Sequence, residues 1–359
     1  MLRVVADSAI PGLADLSKHV DLIRIPGEEI NASCLSQADA LLVRSVTPVN
    51  ASLLTEARRL KFVASATIGC DHVDLNALQE RGIEFAHAPG CNANAVVDYV
   101  LASIKHLVPD VPLSALRVGI VGYGNVGSRL YQALSRLSCH CHVYDPFVTA
   151  PAAESSMRAI FNCDVVSIHV PLTRVGSEPT LGMVTPALLD QSRQNGQLSK
   201  RVLINTSRGL VLEKGLINRV ESEWQMVNDV WVDEPTVDLE SLRSSAIATP
   251  HIAGHSLAGK LRGTEMILAA LLKRFPELEI AGLAKDPLVR REMLVKNDQV
   301  ADTDSFWLEL EARVAIASTS EKFQTVMAMC RSRKARAEAF GRLRKKAQRP
   351  MEFDYSANC

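Results

Sequence analysis

The sequence predicts an α/β protein of two lobes, each built on a parallel sheet, followed by a small C-terminal α+β region. Three observations lead there. Short apolar runs recur between residues 2 and 248, separated by stretches suited to crossover connections, which is the pattern of a parallel sheet layered with helices. Most of the runs end in polar or glycine-containing residues, on the side of such a sheet where ligands bind. One run, Val118–Val121, leads directly into Gly122, Gly124 and Gly127, a G-x-G-x-x-G turn that leaves a buried strand and opens a helix.

The elements follow in order. Leu2–Ala6, Asp21–Ile25, Ala40–Val43, Phe62–Ala66 and Ile83–Ala86 read as five strands with helix-length or slightly shorter connections. Asn92–Leu107 is helical in pattern, with Asn92 or Asn94 as cap, and Pro109, Asp110 and Pro112 mark a domain junction. Residues 1–110 therefore form one lobe. Residues 111–255 form the second, with strands at Val118–Val121, His140–Tyr144, Asp164–Val170, Arg201–Asn205, Gln225–Val232 and Ser244–Ala248. Helices are expected at Ala152–Phe161, at Glu213–Glu223 and from Thr185-Pro186, a cap followed by a first-turn proline. A helix over 256–280 is expected to return to the first lobe. Beyond it, Phe306–Ser318 is a strand or a helix. Residues 331–349 carry nine Lys or Arg against one acid, Glu338, a solvated helix face or a surface for an acidic partner or another subunit.

Bulk properties narrow the function. Hydrophobic residues make up 47% of the 359 residues, enough for sizeable cores, and the formal net charge is zero. Nucleic acid and membrane surfaces are therefore not expected as partners. No run approaches 18 apolar residues, and MLRVVADSAI lacks the features of a secretory leader, so a cytoplasmic location is expected. The cysteines are scattered, with no tetrahedral metal spacing, so no metal is expected.

The glycine turn is Rossmann-like and has a ligand chemistry. Gly122 permits the tight turn, Gly124 keeps the backbone open to a pyrophosphate, Gly127 lets the helix approach the sheet, and the helix N-terminus offers N–H groups to phosphate. Asp145 follows the next strand, 23 residues beyond Gly122, where an acid accepts hydrogen bonds from a ribose. Pro146, Phe147 and Val148 come next, with no Arg for a 2′-phosphate, which favours NAD over NADP.

Three residues stand at strand exits facing the nicotinamide end: Arg208, Glu234 and His251. Oxidising a secondary alcohol needs a base for the hydroxyl proton, and imidazole serves near neutral pH. A carboxylate behind it fixes its tautomer, and a guanidinium holds a substrate carboxylate. Asp229 either faces the nicotinamide amide or holds the sheet terminus through backbone bonds. In the first lobe, Arg44, Ser45, Thr67 and Gly69 occupy strand ends and form a candidate anion site. Arg44 and Arg208, on opposite lobes, suit a small acid bearing a carboxylate at one end and a phosphate at the other, and 3-phosphoglycerate is one such acid.

The segments GYGNVG, VYDP, HVPLT, NTSRG, DVWVDEP and TPHIAG, with ATIGCDHVD and APGCNANAVVDY, resemble the D-2-hydroxyacid dehydrogenase family over residues 1–275. The resemblance implies a two-lobed, flavodoxin-like and Rossmann-like enzyme with NAD between the lobes and Arg208, Glu234 and His251 as catalytic residues. It implies coenzyme contacts from Asp145, Thr206, Asp229 and Gly254, and substrate contacts from Ser45, Thr67 and His255, with Arg44 as a further candidate. The family pattern has Tyr at position 255, where this chain has His. FGRLRKKAQRPMEF resembles part of a C-terminal dimerisation domain found in a branch acting on a phosphorylated acid. Residues 285–359 are therefore expected to be a dimerisation region, abbreviated in this chain, and the protein a homodimer. An NAD(H)-sensing interaction protein without turnover is the alternative of another class.

Overall fold

The structure is a computed structural model that describes residues 1–154, 156–191, 198–218, 223–278, 294–295, 303–349 and 351–355. The chain divides into two compact units, Met1–Asn92 with Leu257–Leu294, and Ala93–Ser256 with Val295–Cys359. The division falls after Asn92 and not at Pro109–Pro112. Helix α2, Ala93–Leu107, is the reason: its apolar residues, Val97 and Leu101 among them, share a core with β-strand and helix residues of the second unit.

In the first unit, strands β1 (Arg3–Asp7), β2 (Asp21–Ile25), β3 (Ala40–Val43), β4 (Phe62–Ser65) and β5 (Glu84–His87) form one parallel sheet ordered β2-β1-β3-β4-β5. That is the flavodoxin-like order. The three central strands are apolar throughout most of their length because both faces are covered. The connections differ from expectation. Two of them hold three 3-10 turns, Leu16–Lys18 between β1 and β2, and Gly27–Glu29 and Ala32–Leu35 between β2 and β3; Pro11, Pro26 and their neighbouring glycines interrupt these short spans before an α-helix can nucleate. Helix α1, Leu75–Glu80, starts where the Asp74 carboxylate accepts the Ala77 N–H at 3.0 Å. Helix α7, Leu257–Arg274, lies on the sheet through Ile267, Leu268 and Leu271 against Val4, Leu42 and Phe62.

In the second unit, β6 (Arg117–Val121), β7 (His140–Tyr144), β8 (Val165–Ile168), β9 (Arg201–Asn205), β10 (Trp224–Asn228) and β11 (Ser245–Ala248) form a parallel sheet ordered β11-β10-β9-β8-β6-β7. The strand order reverses at β6, flanked by β7 and β8, which opens a crevice at the carboxyl ends. Helix α3, Asn125–Arg136, begins there from Gly124. The helix expected at Ala152–Phe161 shrinks to α4, Met157–Ile160. Helix α5, Pro186–Gln191, starts as anticipated, with the Thr185 hydroxyl accepting the Leu188 N–H. Residues 213–218 are turns and not the start of a helix, and 219–222 lie outside the described residues. Helix α6 spans Leu239–Arg243.

The described C-terminal residues are mainly helical: α8 (Asp304–Val314), α9 (Ile316–Met329) and α10 (Arg333–Lys346), then a two-residue strand, Glu352–Phe353. Phe306–Ser318, open between strand and helix in the sequence, is two helices joined at Ala315, whose φ of 48° ends the first. No helix among the described residues is long and apolar enough to cross a membrane.

One buried acid ties the C-terminal strand to α2. Asp98 is fully buried; the Tyr355 hydroxyl donates to it at 2.7 Å, the Phe353 N–H at 3.4 Å, and Arg349 stands 4.0 Å away. Burial, acting against Arg349 and Tyr355, pushes its carboxyl up to about 7. A pKa raised above its unfolded value contributes stability that is complete below the unfolded pKa and is lost as pH rises through the folded one. Between pH 5.5 and 7.5 Asp98 is expected to remove roughly 2 kcal/mol. Urea midpoints at the two pH values measure this: the difference shrinks in Asp98→Asn, and an equal difference in both proteins contradicts the assignment.

Candidate active site

The carboxyl edge of the second sheet gathers most of the residues singled out in the sequence. Gly122 follows β6, Asp145 follows β7, Thr206 and Arg208 follow β9, Asp229 follows β10, and His251 follows β11. All six strands are parallel, so these exits share one side.

Gly122 has φ 93°, and a Cβ on Gly127 would sit 1.9 Å from the Gly122 carbonyl oxygen. The turn and helix can close on each other only without those side chains. A Cβ on Gly124 would meet nothing within 4 Å, so that glycine leaves open space in front of the helix N-terminus. Asp145 accepts the Tyr123 N–H at 2.8 Å on one oxygen and the Phe147 N–H at 2.9 Å on the other. Both bonds orient the carboxylate beside the glycine turn.

His251 and Glu234 meet directly: Nδ1 lies 2.8 Å from Oε2. The other Glu234 oxygen accepts the Trp231 N–H at 2.8 Å, and the Trp231 indole donates to the Thr249 carbonyl at 2.9 Å. Burial raises the Glu234 pKa, but the hydrogen bond and charge of His251, the Trp231 N–H and the Arg344 guanidinium outweigh it and hold the carboxyl below its ordinary value. An ionised carboxylate only accepts, so the proton in the His251–Glu234 bond belongs to Nδ1. That leaves Nε2 as the acceptor.

Asp229 lies just past β10 and is 1% exposed. One oxygen accepts the Thr249 hydroxyl at 2.6 Å and the Ile252 N–H at 2.7 Å; the other accepts the Ala253 N–H at 2.8 Å. Tyr99 meets the Thr249 hydroxyl at 2.6 Å. These bonds hold the sheet terminus, one of the two roles open to Asp229. Burial nevertheless keeps its carboxyl above the ordinary value.

Arg208 opens the 3-10 turn Gly209–Val211; its guanidinium donates to the Ser207 carbonyl at 2.8 Å, and the Asn205 amide donates to the Arg208 carbonyl at 3.0 Å. Arg208, Glu234 and His251 line a single cavity of about 160 Å³ with Leu172, Leu210 and Trp231. A cavity of about 310 Å³ between α2 and the α8–α9 region contains none of the three. Gly254 and His255 lie in the turn after His251, where the His255 N–H donates to the Ile252 carbonyl at 2.8 Å.

Sequence reasoning missed His169 in HVPLT. It follows β8, meets Ser167 at 2.9 Å and Thr206 at 3.5 Å, and burial pushes its imidazole down to about 3. It also missed Thr249, although TPHIAG contains it. Among the described residues no group of His, Cys, Asp and Glu could hold a metal ion.

In the first unit, Arg44 and Ser45 follow β3 and Thr67 follows β4. The Arg44 guanidinium donates twice to buried Asp7, at 2.8 and 3.3 Å, so much of its fork is engaged within the lobe. The Thr67 hydroxyl lies 2.7 Å from Ser65 and 3.2 Å from the Gly69 carbonyl.

Comparison with known proteins supplies the family. The model of the D-isomer specific 2-hydroxyacid dehydrogenase catalytic domain matches residues 3–344. The chain is 38% identical over 344 residues to erythronate-4-phosphate dehydrogenase of Cellvibrio japonicus, covering 89% of this chain and 88% of that one. It is 40% identical over 311 residues to the enzyme of the same name from Chromohalobacter salexigens, covering 82% and 78%. Similar solved structures include NAD⁺-bound 3-phosphoglycerate dehydrogenase of Entamoeba histolytica, with TM-score 0.64, 20% identity and coverage of 77% of this chain and 95% of that one. D-lactate dehydrogenase of Aquifex aeolicus with NAD and lactic acid has TM-score 0.62, 22% identity and coverage of 77% and 98%. These two share the fold, and the match to the family model over nearly the whole chain assigns membership: the chain belongs to the D-isomer specific 2-hydroxyacid dehydrogenase family.

Proposed function

We propose that the protein oxidises 4-phospho-D-erythronate to 2-oxo-3-hydroxy-4-phosphobutanoate with NAD, a step of pyridoxine phosphate biosynthesis. The observation that carries the chemistry is the 2.8 Å bond between His251 and Glu234 in one cavity with Arg208. The names of the relatives at 38–43% identity support the substrate.

The residues fit the coenzyme. The glycine turn leaves space at Gly124 for a pyrophosphate, and each Asp145 oxygen, holding one backbone N–H, keeps lone pairs for ribose hydroxyls. Thr206, Asp229 and Gly254 complete the proposed coenzyme contacts. When bound, NAD supplies the acceptor for the hydride that leaves C2 of the substrate. His251 takes the hydroxyl proton at Nε2, and the ionised Glu234 offsets the charge that forms on the ring. Arg208 grips the substrate carboxylate and draws charge toward the developing carbonyl.

Ser45, Thr67 and His255, with Arg44, are the proposed substrate contacts, the first unit being the substrate lobe. An imidazole at 255 donates to phosphate most strongly when protonated. The C-terminal region from residue 285 is proposed to form a homodimer in the cytoplasm; its residues 285–293, 296–302, 350 and 356–359 lie outside the described residues.

Gly124→Ala is expected to keep fold stability within about 0.5 kcal/mol while weakening NADH binding, because its methyl enters the space reserved for the pyrophosphate. Gly127→Ala is expected to destabilise the fold by about 1–3 kcal/mol. Denaturant midpoints and NADH titration check both, and an unaltered NADH affinity in Gly124→Ala contradicts the coenzyme placement. His251→Asn is expected to cut turnover of 4-phosphoerythronate by roughly 10²–10⁴ with NADH binding retained. Steady-state assays with 4-phosphoerythronate, 3-phosphoglycerate, glycerate and lactate read this out; a loss of only a few-fold on the best substrate removes the general-base role. Faster wild-type turnover of 3-phosphoglycerate contradicts the substrate assignment, and absence of all turnover favours a sensor.

A further inference from the structure

The turn that carries His251 is held from two sides. Its N–H groups at Ile252 and Ala253 go to the Asp229 carboxylate. Three of its carbonyls go elsewhere, to the far end of the chain. The His251 carbonyl accepts from Arg344 Nε at 3.2 Å, the Ala253 carbonyl accepts from Arg349 Nη2, and the His255 carbonyl accepts from the Arg349 N–H at 3.0 Å. Ser256, the last residue before α7, donates to buried Glu352 at 2.7 Å. The alternating carbonyls 251, 253 and 255 thus meet the short stretch from the last turns of α10 to the strand Glu352–Phe353.

This attachment matters because the turn is not a relaxed one. His251 has φ 58°, a left-handed conformation that costs a non-glycine residue about 1–3 kcal/mol and persists only where surrounding bonds over-determine it. Asp229 holds the 251–252 peptide plane by its N–H edge alone. Arg344 holds the carbonyl edge of the same plane, so the unit that carries His251 is gripped from both sides. Arg349 is 6% exposed and is itself braced, with Nη2 also donating to the Ala95 carbonyl at 2.9 Å.

We propose that Arg344 and Arg349 are positioning residues for His251, and that with Glu352 they form a strap on the catalytic turn in addition to any part they play between subunits. The inference rests on the general-base reading of His251. Arg344 bonds the turn at His251 and not beside Gly254, so the effect of its loss falls on the chemical step more than on coenzyme affinity.

The test is steady-state kinetics of full-length variants. Arg344 is half-buried at the helix surface, and its removal leaves no buried charge unpaired. Arg344→Ala is expected to lower kcat roughly 10–100-fold, with the KM for NAD within about twofold. Arg344→Lys, which keeps one donor to the His251 carbonyl, is expected to regain most of that loss. Arg349→Lys is expected to show the same split more weakly and serves where Arg349→Ala fails to fold. Lys345→Ala, an exposed neighbour on α10, is the control and is expected to match the wild type. If Arg344→Ala folds and keeps kcat within twofold while His251→Asn abolishes turnover, the strap is refuted and the base assignment stands. If His251→Asn itself leaves turnover unaffected, the reading on which the strap rests has failed. A loss in Arg344→Ala that Lys does not restore, with KM rising in parallel, also overturns the proposal, since it reports general loosening.

Discussion

The Asp229 carboxylate is the constraint on which the site depends. It sits at the end of β10, out of water, and collects the Thr249 hydroxyl and the Ile252 and Ala253 N–H groups, while the His251 N–H donates to its backbone carbonyl at 2.8 Å. A buried anion is costly unless donors surround it, and the nearby donors belong to the turn after β11. Satisfying the charge therefore shapes the turn, and the turn aims the imidazole at Glu234. Glu234 is oriented in turn by the Trp231 N–H. A carboxylate that takes no part in the proton transfer thus sets the place of the groups that do.

The same logic of satisfied groups runs along the sheet edge. Parallel strands leave their carboxyl ends on one side, and the order reversal at β6 opens a crevice there. The glycine turn stays narrow because Gly127 has no side chain, and Asp145 is turned toward it by two backbone donors. The glycine turn and the His251–Glu234 pair consequently sit along one edge of the sheet.

The central strands were legible because strands covered on both faces must be apolar, and Val118–Val121 and Val202–Ile204 have no alternative on that reading. The strand exits were legible for the same reason, since polar residues begin where the cover ends. The connections on either side of β2 were not: their lengths suited helices, and proline and glycine made them 3-10 turns. The break at Ala315 was invisible because alanine carries no signal for a left-handed residue. The role of Asp229 was readable only as two alternatives, because its partners are a strand away. Arg344 and Arg349 were read only as part of a basic run. Their carbonyl partners lie more than 90 residues earlier, and no spacing within the sequence announces such a pairing.

The central claim is that Glu234 holds the His251 proton on Nδ1 and leaves Nε2 to receive one. Nitrogen-15 NMR of the chain labelled at histidine, with NADH bound and His251 assigned by comparison with His251→Asn, reads the tautomer directly. The account predicts a protonated Nδ1 and a bare Nε2 in the neutral ring. A neutral ring with its proton on Nε2 would contradict it.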